Sequence, residues 1–256
     1  MRDQLHETPD MIINPYRFGT AAAGISEPLH WWDFDNTTTG LDDQGTGSWA
    51  RLTNAGTSAT SGTGPNGQNV LLFGTEDWIN RSAVAWDGSN TQKLSCSLWV
   101  KSSAISSSGG WLMSWRGGGG NVADSAIFND TSDFGSFRIY DDAAANNGVG
   151  NVMDSIVPAS EWTHLVGVMD GGAMSLYRDG QLVDSSTFAG FTDIDDSAAA
   201  NFAFGYVGLA SPPSLSTAFE GEIMSPAIWD VALTQAEIDH LYNSGNGRQY
   251  GDLTII

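Results

Sequence analysis

The stretch Trp162–Asp184 constrains the fold more than any other part of the sequence. Three short runs of branched and aromatic residues are separated by two glycine-containing breaks, Asp170-Gly171-Gly172 and Asp179-Gly180. Runs of this composition are typical of β-strands. An Asp-Gly pair suits a two-residue hairpin loop because glycine adopts positive φ without strain. The stretch therefore predicts three consecutive antiparallel strands joined by tight turns.

Short runs of the same kind recur along the rest of the chain. We expect strands at residues 29–35, 49–52, 70–73, 78–79, 84–86, 93–100, 111–115, 126–128, 136–140, 201–206 and 219–229, and residues 155–157 lead into the three-strand stretch. Pro226 in the last run predicts a bulge or an edge position, because proline has no N–H to donate to a ladder. Many short strands with almost no helix predict an all-β fold, an antiparallel β-sandwich of the jelly-roll type.

One short helix is predicted near the C-terminus. Thr234 and Glu237 form a capping box, in which each side chain accepts a hydrogen bond from the other residue's backbone N–H. Ile238, Leu241 and Tyr242 follow at the spacing of one apolar helix face. Gly245 is expected to end the helix, since glycine favours the C-terminal position.

The charge balance excludes several classes of partner. Thirty acidic residues oppose ten basic ones, which gives a formal net charge of −20. Nucleic-acid binding depends on lysine and arginine neutralising phosphates, and anionic membranes also attract basic proteins. We therefore expect no nucleic acid and no membrane as partners. The acidic residues predict a solvated surface or, alternatively, adaptation to a salty medium, because salt screens self-repulsion.

Cysteine usage and the N-terminus bear on the cellular compartment. Cys96 is the one cysteine, so no intramolecular disulfide can form, and its alternating apolar neighbours predict a small core residue. Residues 1–7 contain no apolar signal segment, and no run approaches the ~18 apolar residues of a membrane span. We expect synthesis in a cytoplasm without export by the usual route.

The first 27 residues are expected to form an extended arm outside the sandwich, which would occupy residues 28–256. The arm contains a compact apolar and aromatic run whose proline favours an extended backbone. This run is assigned as a docking peptide for a partner subunit and comprises Ile12, Ile13, Pro15, Tyr16, Arg17 and Phe18. The alternative is an arm that folds back onto its own domain.

Three regions resemble the laminin-G-like branch of the concanavalin A-like lectin/glucanase superfamily. They are Trp162-x-His164 followed by Leu176-Tyr177-x-Asp179-Gly180, then Leu29–Asp35, and finally residues 219–238. Together they frame residues 28–250, and the resemblance implies a jelly roll. Residues 14–19 are also similar to the start of lectin-like proteins of tailed bacteriophages.

Catalytic patterns of the superfamily are incomplete in this chain. Its glucanases carry Glu-x-Asp-x-x-Glu on a strand, whereas the nearest string, Glu237–Tyr242, lacks the last glutamate and lies on the predicted helix. Glu220 and Glu222 share a strand face without a third carboxylate. His164 is interpreted as a core or inter-sheet hydrogen-bonding residue. These patterns predict a protein without enzymatic activity.

Calcium is an open alternative for the loops. The resemblance implies Ca²⁺ held by loop carboxylates and carbonyls, and the two candidate groups are Asp193, Asp195 and Asp196, and Asp33, Asp35 and Asn36. However, the acidic pair that the family places in the last strand is Met224-Ser225 here. We assign no metal ligand and no cofactor.

Two functions fit these observations. The first is a structural virion protein of a bacteriophage, in the capsid as a decoration or cement protein or in the tail or fibre. It would bind other virion proteins through the arm and form a homo-oligomer such as a trimer. The alternative is a lectin-like module or adhesin that binds a cell-surface glycan, with or without Ca²⁺. Its sugar would stack on loop tryptophans, for which Trp49, Trp111 and Trp115 are candidates.

Overall fold

The computed structural model describes residues 24–34, 41–49, 51–54, 60–74, 77–103, 110–117, 124–130, 135–140, 149–154, 158–194, 200–206 and 219–256. The predicted docking residues of the arm lie outside these ranges. The strands are β1 His30–Trp31, β2 Thr53–Asn54, β3 Thr60–Thr63, β4 Asn69–Phe73, β5 Ile79–Val84, β6 Lys93–Ser102, β7 Gly110–Gly117, β8 Asp124–Asp130, β9 Gly135–Tyr140, β10 Val149–Asp154, β11 Thr163–Asp170, β12 Ala173–Arg178, β13 Gln181–Thr187, β14 Ala200–Phe204 and β15 Gly221–Trp229.

These strands form two antiparallel sheets. The first sheet has the order β13-β12-β11-β6-β15-β4-β3, and β1 also pairs with β15. The second sheet has the order β10-β9-β8-β7-β14-β5-β2. Edge strand β10 of the second sheet packs against β12 and β13 of the first, so the sheets face each other. The predicted antiparallel β-sandwich is confirmed.

The predicted meander is present as β11, β12 and β13. The ladders pair Asp170 with Ala173 and Arg178 with Gln181 at the two turns. Asp179 and Gly180 have φ values of 51° and 79°, which is the positive-φ pair that a type I′ hairpin turn requires. The sequence of this turn therefore sets the register of the two pairs next to it, Arg178–Gln181 and Tyr177–Leu182, beyond which the ladder shifts by one residue.

The main core lies between the two sheets and is rich in aromatic rings. Trp32 stacks on Phe202 with ring centroids 5.3 Å apart, and Phe202 meets Phe204 edge-on at 5.0 Å. All three side chains are fully buried. Burying a large aromatic side chain stabilises the fold by roughly 1.5–3 kcal/mol, so this centre contributes strongly to stability.

A second apolar layer covers part of the outer face of the first sheet. Helix α1 spans Gln235–Tyr242, and its buried Ile238 and Leu241 pack in one cluster with Trp229. The predicted capping box is formed. The helix ends before Gly245 because Asn243 already adopts a left-handed conformation, with φ 50°. Short 3₁₀ turns follow at Asn243–Gly245 and Tyr250–Asp252. Among the described residues, no helix is long and apolar enough to cross a bilayer.

Several predicted strand boundaries differ from the structure. The first strand is limited to β1, and the backbone turns soon after it, at Phe34, which has φ 52°. In the run predicted at 49–52, the described residues Trp49, Arg51 and Leu52 belong to no strand, and the side chains of Trp49 and Leu52 enter the core. Strand β3 lies where no strand is expected from the sequence. Pro226 lies in a register shift between Met224 and Ala227, as its missing N–H predicts.

Many carboxylates serve as acceptors for backbone N–H groups in loops. Asp43 accepts from Trp31 and Gly45, Asp179 accepts from His164, and Asp230 accepts from Ser89. Hydrogen bonds to a charged acceptor are stronger than neutral ones. Part of the acidic excess therefore fixes loops and is not only a solvated surface.

Candidate functional site

Four side chains form a row across one end of the outer face of the first sheet. Glu222 lies opposite Leu72 of β4 on one side and opposite Lys101 of β6 on the other. Thr163 pairs with Val100, so the preceding residue, Trp162, lies beside Lys101. We name the surface formed by Leu72, Lys101, Trp162 and Glu222 the Trp162 platform. Each of these four residues is half-buried.

The charged members of the platform are paired with each other and with the indole. Lys101 Nζ lies 2.9 Å from Glu222 Oε1 and 5.8 Å from the centroid of the Trp162 ring. Side-chain exposure of the ion pair is 33% for Lys101 and 22% for Glu222. A cation within about 6 Å of an indole face is attracted by the ring quadrupole. Both contacts restrain the lysine at the surface.

A stack of rings supports the platform from the side of helix α1. Trp99 stacks on His164 at 5.0 Å and on Tyr242 at 5.8 Å. His164 Nε2 and Ser97 Oγ are 2.8 Å apart, which is a bond within one sheet and not between sheets. Burial lowers the pKa of His164 to about 3, so the imidazole is neutral and adds no charge beneath the platform.

Two loops, one containing Asn66 and Gln68 and the other containing Asn246 and Gly247, lie beside this ring stack and form the rim of the platform. The backbone oxygen of Asn246 accepts hydrogen bonds from Gln68 Nε2 at 2.6 Å and from Asn66 Nδ2 at 3.2 Å. Gly247 has φ 64°, and a Cβ there would lie 3.0 Å from Trp99 Nε1. Glycine is therefore required at position 247, where the segment after helix α1 crosses Trp99. The side chains of Asn66 and Gln68 thus tie the segment at Asn246 to the loop between β3 and β4.

This arrangement suits non-covalent binding. An indole face offers apolar area, while the ammonium of Lys101 donates and the carboxylate of Glu222 accepts hydrogen bonds. A ligand that carries an apolar face and several hydroxyl groups matches these three properties.

A second polar cluster is buried and has a structural role. The His30 ring donates from Nδ1 to Asp43 and from Nε2 to Asp87, and it stacks on Trp49 with centroids 3.9 Å apart. Burial alone would lower the pKa of His30, but the two carboxylates outweigh it and raise that pKa above 6.5. Burial would raise the pKa of Asp87, yet His30 and the Ser48 N–H lower it to about 2. The carboxylates lie on opposite ring nitrogens and do not converge on one point.

The residues predicted to bind a glycan or calcium do not belong to the Trp162 platform. Trp49 and Trp115 are core residues with 8% and 3% exposure, so neither presents a ring face to a sugar. Trp111 is half-buried on β7. Asp33 is buried and accepts from Trp31 Nε1. Asp193 is half-buried just before Ile194. The remaining calcium candidates Asp35, Asn36, Asp195 and Asp196 lie outside the described residues. Within the described ranges, no group of three or more histidine, cysteine or acidic side chains could hold a metal.

Sequence reasoning did not identify the Trp162 platform as a site. Its four members come from strands that are distant in the chain. The available signal was a tryptophan that directly precedes a strand, together with one of only two lysines in an acidic chain. The sequence shows that Glu222 can share a strand face with Glu220, but it does not link Glu222 to Lys101.

Comparison with known families identifies the fold. A family model described as the concanavalin A-like lectin/glucanases superfamily matches residues 73–239. The match includes Lys101, Trp162 and Glu222. No curated protein matches the chain in sequence.

Solved structures with a similar fold include carbohydrate complexes. Domain 4 of an extracellular arabinanase from Geobacillus stearothermophilus, in complex with arabinotriose, has a TM-score of 0.56 and 19% identity over 88% of this chain and 100% of that one. The ligand-binding domain of botulinum neurotoxin serotype D, in complex with N-acetylneuraminic acid, has a TM-score of 0.60 and 14% identity, covering 85% of this chain and 50% of that one. The receptor-binding domain of the C/D mosaic serotype has a TM-score of 0.61 and 14% identity, covering 85% and 51%. The chain thus spans about half of the toxin domains that it matches.

Proposed function

Since the chain belongs to the concanavalin A-like lectin/glucanases superfamily, we propose that it is a non-catalytic module that binds a carbohydrate on the Trp162 platform. One observation carries the proposal. Lys101 and Glu222 stand side by side on β6 and β15, and Trp162 lies beside Lys101 directly before β11, with Lys101 Nζ 5.8 Å from the indole centroid and 2.9 Å from the carboxylate. Ligand sites typically combine apolar area with a few well-placed polar groups.

The chemistry of sugars fits this surface. One side of a sugar ring exposes C–H groups that can lie against the indole of Trp162, while hydroxyls at the ring edge can bond to Lys101 and Glu222. Hydrogen bonds that involve an ionised partner are stronger than neutral ones. The fixed rim also reduces the entropy lost when a ligand binds.

Carbohydrate complexes among structures with the same fold support this proposal. The arabinanase domain is described with arabinotriose and the serotype D toxin domain with N-acetylneuraminic acid. At 19% and 14% identity, these likenesses concern the fold. The location of a sugar on this chain is therefore inferred from its own side chains.

The platform also fits binding better than hydrolysis. Glycosidases use two carboxyl groups that flank the scissile bond. The platform as defined supplies one carboxylate, Glu222, and it is paired with Lys101. The neighbouring Glu220 is not one of the four platform residues. It lies directly before β15, where its backbone oxygen accepts a hydrogen bond from the Ser103 N–H.

Glycan-array screening followed by calorimetry tests the proposal. We expect the native chain to bind at least one saccharide and Trp162→Ala to lose more than about tenfold in affinity, which corresponds to about 1.4 kcal/mol. Trp111→Ala is the control, because Trp111 is also half-buried but lies on the second sheet. Failure of the native chain to bind any saccharide, or equal losses in both variants, would reject the platform.

The virion role predicted from the sequence stays a prediction. It depends on the docking arm, whose assigned residues lie outside the described ranges. The expected homo-oligomer and the virion location also stay predictions. The two functions are compatible, because an adhesin carried on a particle also binds glycans.

A further inference from the structure

We infer that the Trp162 platform selects an uncharged oligosaccharide and recognises a vicinal diol through the Lys101–Glu222 pair. This inference rests on the proposed carbohydrate-binding function and adds the class of ligand. Three observations support it: the geometry of the Lys101–Glu222 ion pair, the length of the platform across neighbouring strands, and the acidic residues around the platform.

The ion pair presents a donor and an acceptor at close spacing. Lys101 Nζ and Glu222 Oε1 are 2.9 Å apart. An ammonium group has three N–H donors and an ionised carboxylate has only acceptor sites. After pairing, Lys101 can still donate to one sugar oxygen and Glu222 can still accept from a neighbouring hydroxyl. Two hydroxyls on adjacent carbons match this donor and acceptor.

The length of the row indicates more than one sugar unit. Trp162, Lys101, Glu222 and Leu72 stand on four neighbouring chain segments, so the row covers three inter-strand spacings, or about 14 Å at 4.7–4.9 Å each. A short oligosaccharide lying across the strands would contact the indole at one end and Leu72 at the other. A monosaccharide would use only part of this surface.

The charges on and around the platform disfavour acidic sugars. Lys101 is its one cation and is compensated by Glu222. Exposed Glu161 and Glu220 flank Trp162 and Glu222 in the sequence, and the whole chain carries a formal charge of −20. A sugar carboxylate or sulfate would approach a surface of its own sign. An uncharged sugar avoids this repulsion.

Calorimetry with defined sugars tests the ligand class. The probes are neutral arabino-, xylo-, gluco- and manno-oligosaccharides of one to four units, with oligogalacturonate and sialyllactose as acidic probes. We expect at least one neutral series to bind more tightly as it lengthens, with less than about a twofold change in affinity from about 10 mM to about 300 mM salt. Tighter binding of the acidic probes at low salt would overturn the charge argument.

Variants test recognition of the diol. Lys101→Met and Glu222→Gln should each weaken neutral-sugar binding by about tenfold or more, and Glu222→Gln should reduce the native preference for a sugar over its singly O-methylated analogue. Lys93→Met is the matched control, because Lys93 forms the other lysine ion pair of the same sheet, 3.1 Å from Asp170. It should leave affinity unchanged.

The proposed function and this inference can fail separately. If Trp162→Ala abolishes binding while Lys101→Met and Glu222→Gln bind as the native chain does, the diol inference is wrong and carbohydrate binding on the platform stands. If Trp162→Ala has no effect on a sugar that the native chain binds, the platform itself is wrong. If no sugar binds the native chain, the proposed function is rejected, and the inference with it.

Discussion

His30 Nε2, on a fully buried ring, lies 2.9 Å from Oδ1 of the half-buried Asp87. The other ring nitrogen of His30 bonds to Asp43. A neutral imidazole has only one N–H, so two flanking carboxylates are satisfied together only by the imidazolium. This buried cation joins β1 to two loops and stacks on Trp49. It is a structural element that depends on protonation.

The His30 cluster predicts a loss of stability at alkaline pH. Because the two carboxylates raise the pKa of His30 above 6.5, its contribution is fully present below the unfolded value and is lost as pH rises through the folded pKa. We expect the free energy of unfolding, measured by urea denaturation, to fall from neutral to alkaline pH. His30→Phe should cost roughly 3–5 kcal/mol at neutral pH, because it leaves two carboxylates without their cation.

The control is to compare how steeply the free energy of unfolding falls with rising pH in the native chain and in His30→Phe. In His30→Phe the alkaline decline should be reduced relative to the native chain, while both retain the titrations of their other groups. An identical alkaline decline in the two proteins would show that His30 is not the titrating group.

His164 predicts the opposite behaviour on the acid side. Burial lowers its pKa to about 3, so between 6.5 and this value the unfolded chain binds a proton that the folded chain does not. Stability should therefore fall as pH decreases through this window, by up to about 1.4 kcal/mol per pH unit from this residue. His164→Gln keeps a hydrogen-bonding group for Ser97 without a titrating ring.

Urea denaturation of the native chain and His164→Gln at several pH values between neutral and acid checks this. The difference in stability between them should shrink as the pH falls, since the carboxylates of both proteins titrate alike. A constant difference would contradict a buried neutral imidazole.

Local sequence signals predicted the parts of the fold that are decided locally. The Asp179-Gly180 turn requires positive φ at both positions, and the Thr234–Glu237 capping box uses residues three apart, so both could be identified from neighbouring residues. Alternation likewise placed Cys96 in the core. Each of these features depends on a few consecutive residues.

The candidate site could not be predicted in this way. Period-2 alternation tells which face a residue occupies but not which strands become neighbours. Leu72, Lys101, Trp162 and Glu222 meet only because β4, β15, β6 and β11 are adjacent. Trp49 illustrates the converse, since its loop is drawn into the core by the His30 ring and by Trp49 Nε1 donating to the Ala85 oxygen.

The two sheets approach closely at Gly167, so a larger residue at this position is expected to destabilise the fold. A Cβ at this position would lie 2.3 Å from Phe137 Cδ2, so Gly167→Ala forces the buried phenyl ring to shift. We expect a loss of about 1–3 kcal/mol, typical of overpacking a core, measured by urea denaturation. Gly251→Ala is the matched control, because nothing lies within 4 Å of its Cβ position, and it should change stability by less than about 0.5 kcal/mol. Equal stability of the two variants would mean that the sheets are farther apart here.

Glu237 predicts that helix α1 and the segment before β1 unfold together. One carboxylate oxygen accepts from the N–H and hydroxyl of Ser26, and the other accepts from the N–H and hydroxyl of Thr234. Glu237→Ala removes all four acceptor contacts, so we expect a loss of roughly 1–3 kcal/mol. Glu237→Gln should lose less, because its amide keeps one oxygen. Glu161→Gln, an exposed glutamate, should have little effect.

The same carboxylate should titrate in acid with a defined sign. Burial would raise the pKa of Glu237, but the N–H groups of Thr234 and Ser26 and their hydroxyls lower it below 4.5. Its contribution is therefore present above the unfolded value and is lost as pH falls through the folded pKa. Hydrogen exchange of the Ser26 and helix amides should accelerate together in Glu237→Ala. Acceleration in the helix alone would show that Ser26 is held by other contacts, such as the bond from Trp229 Nε1 to its backbone oxygen.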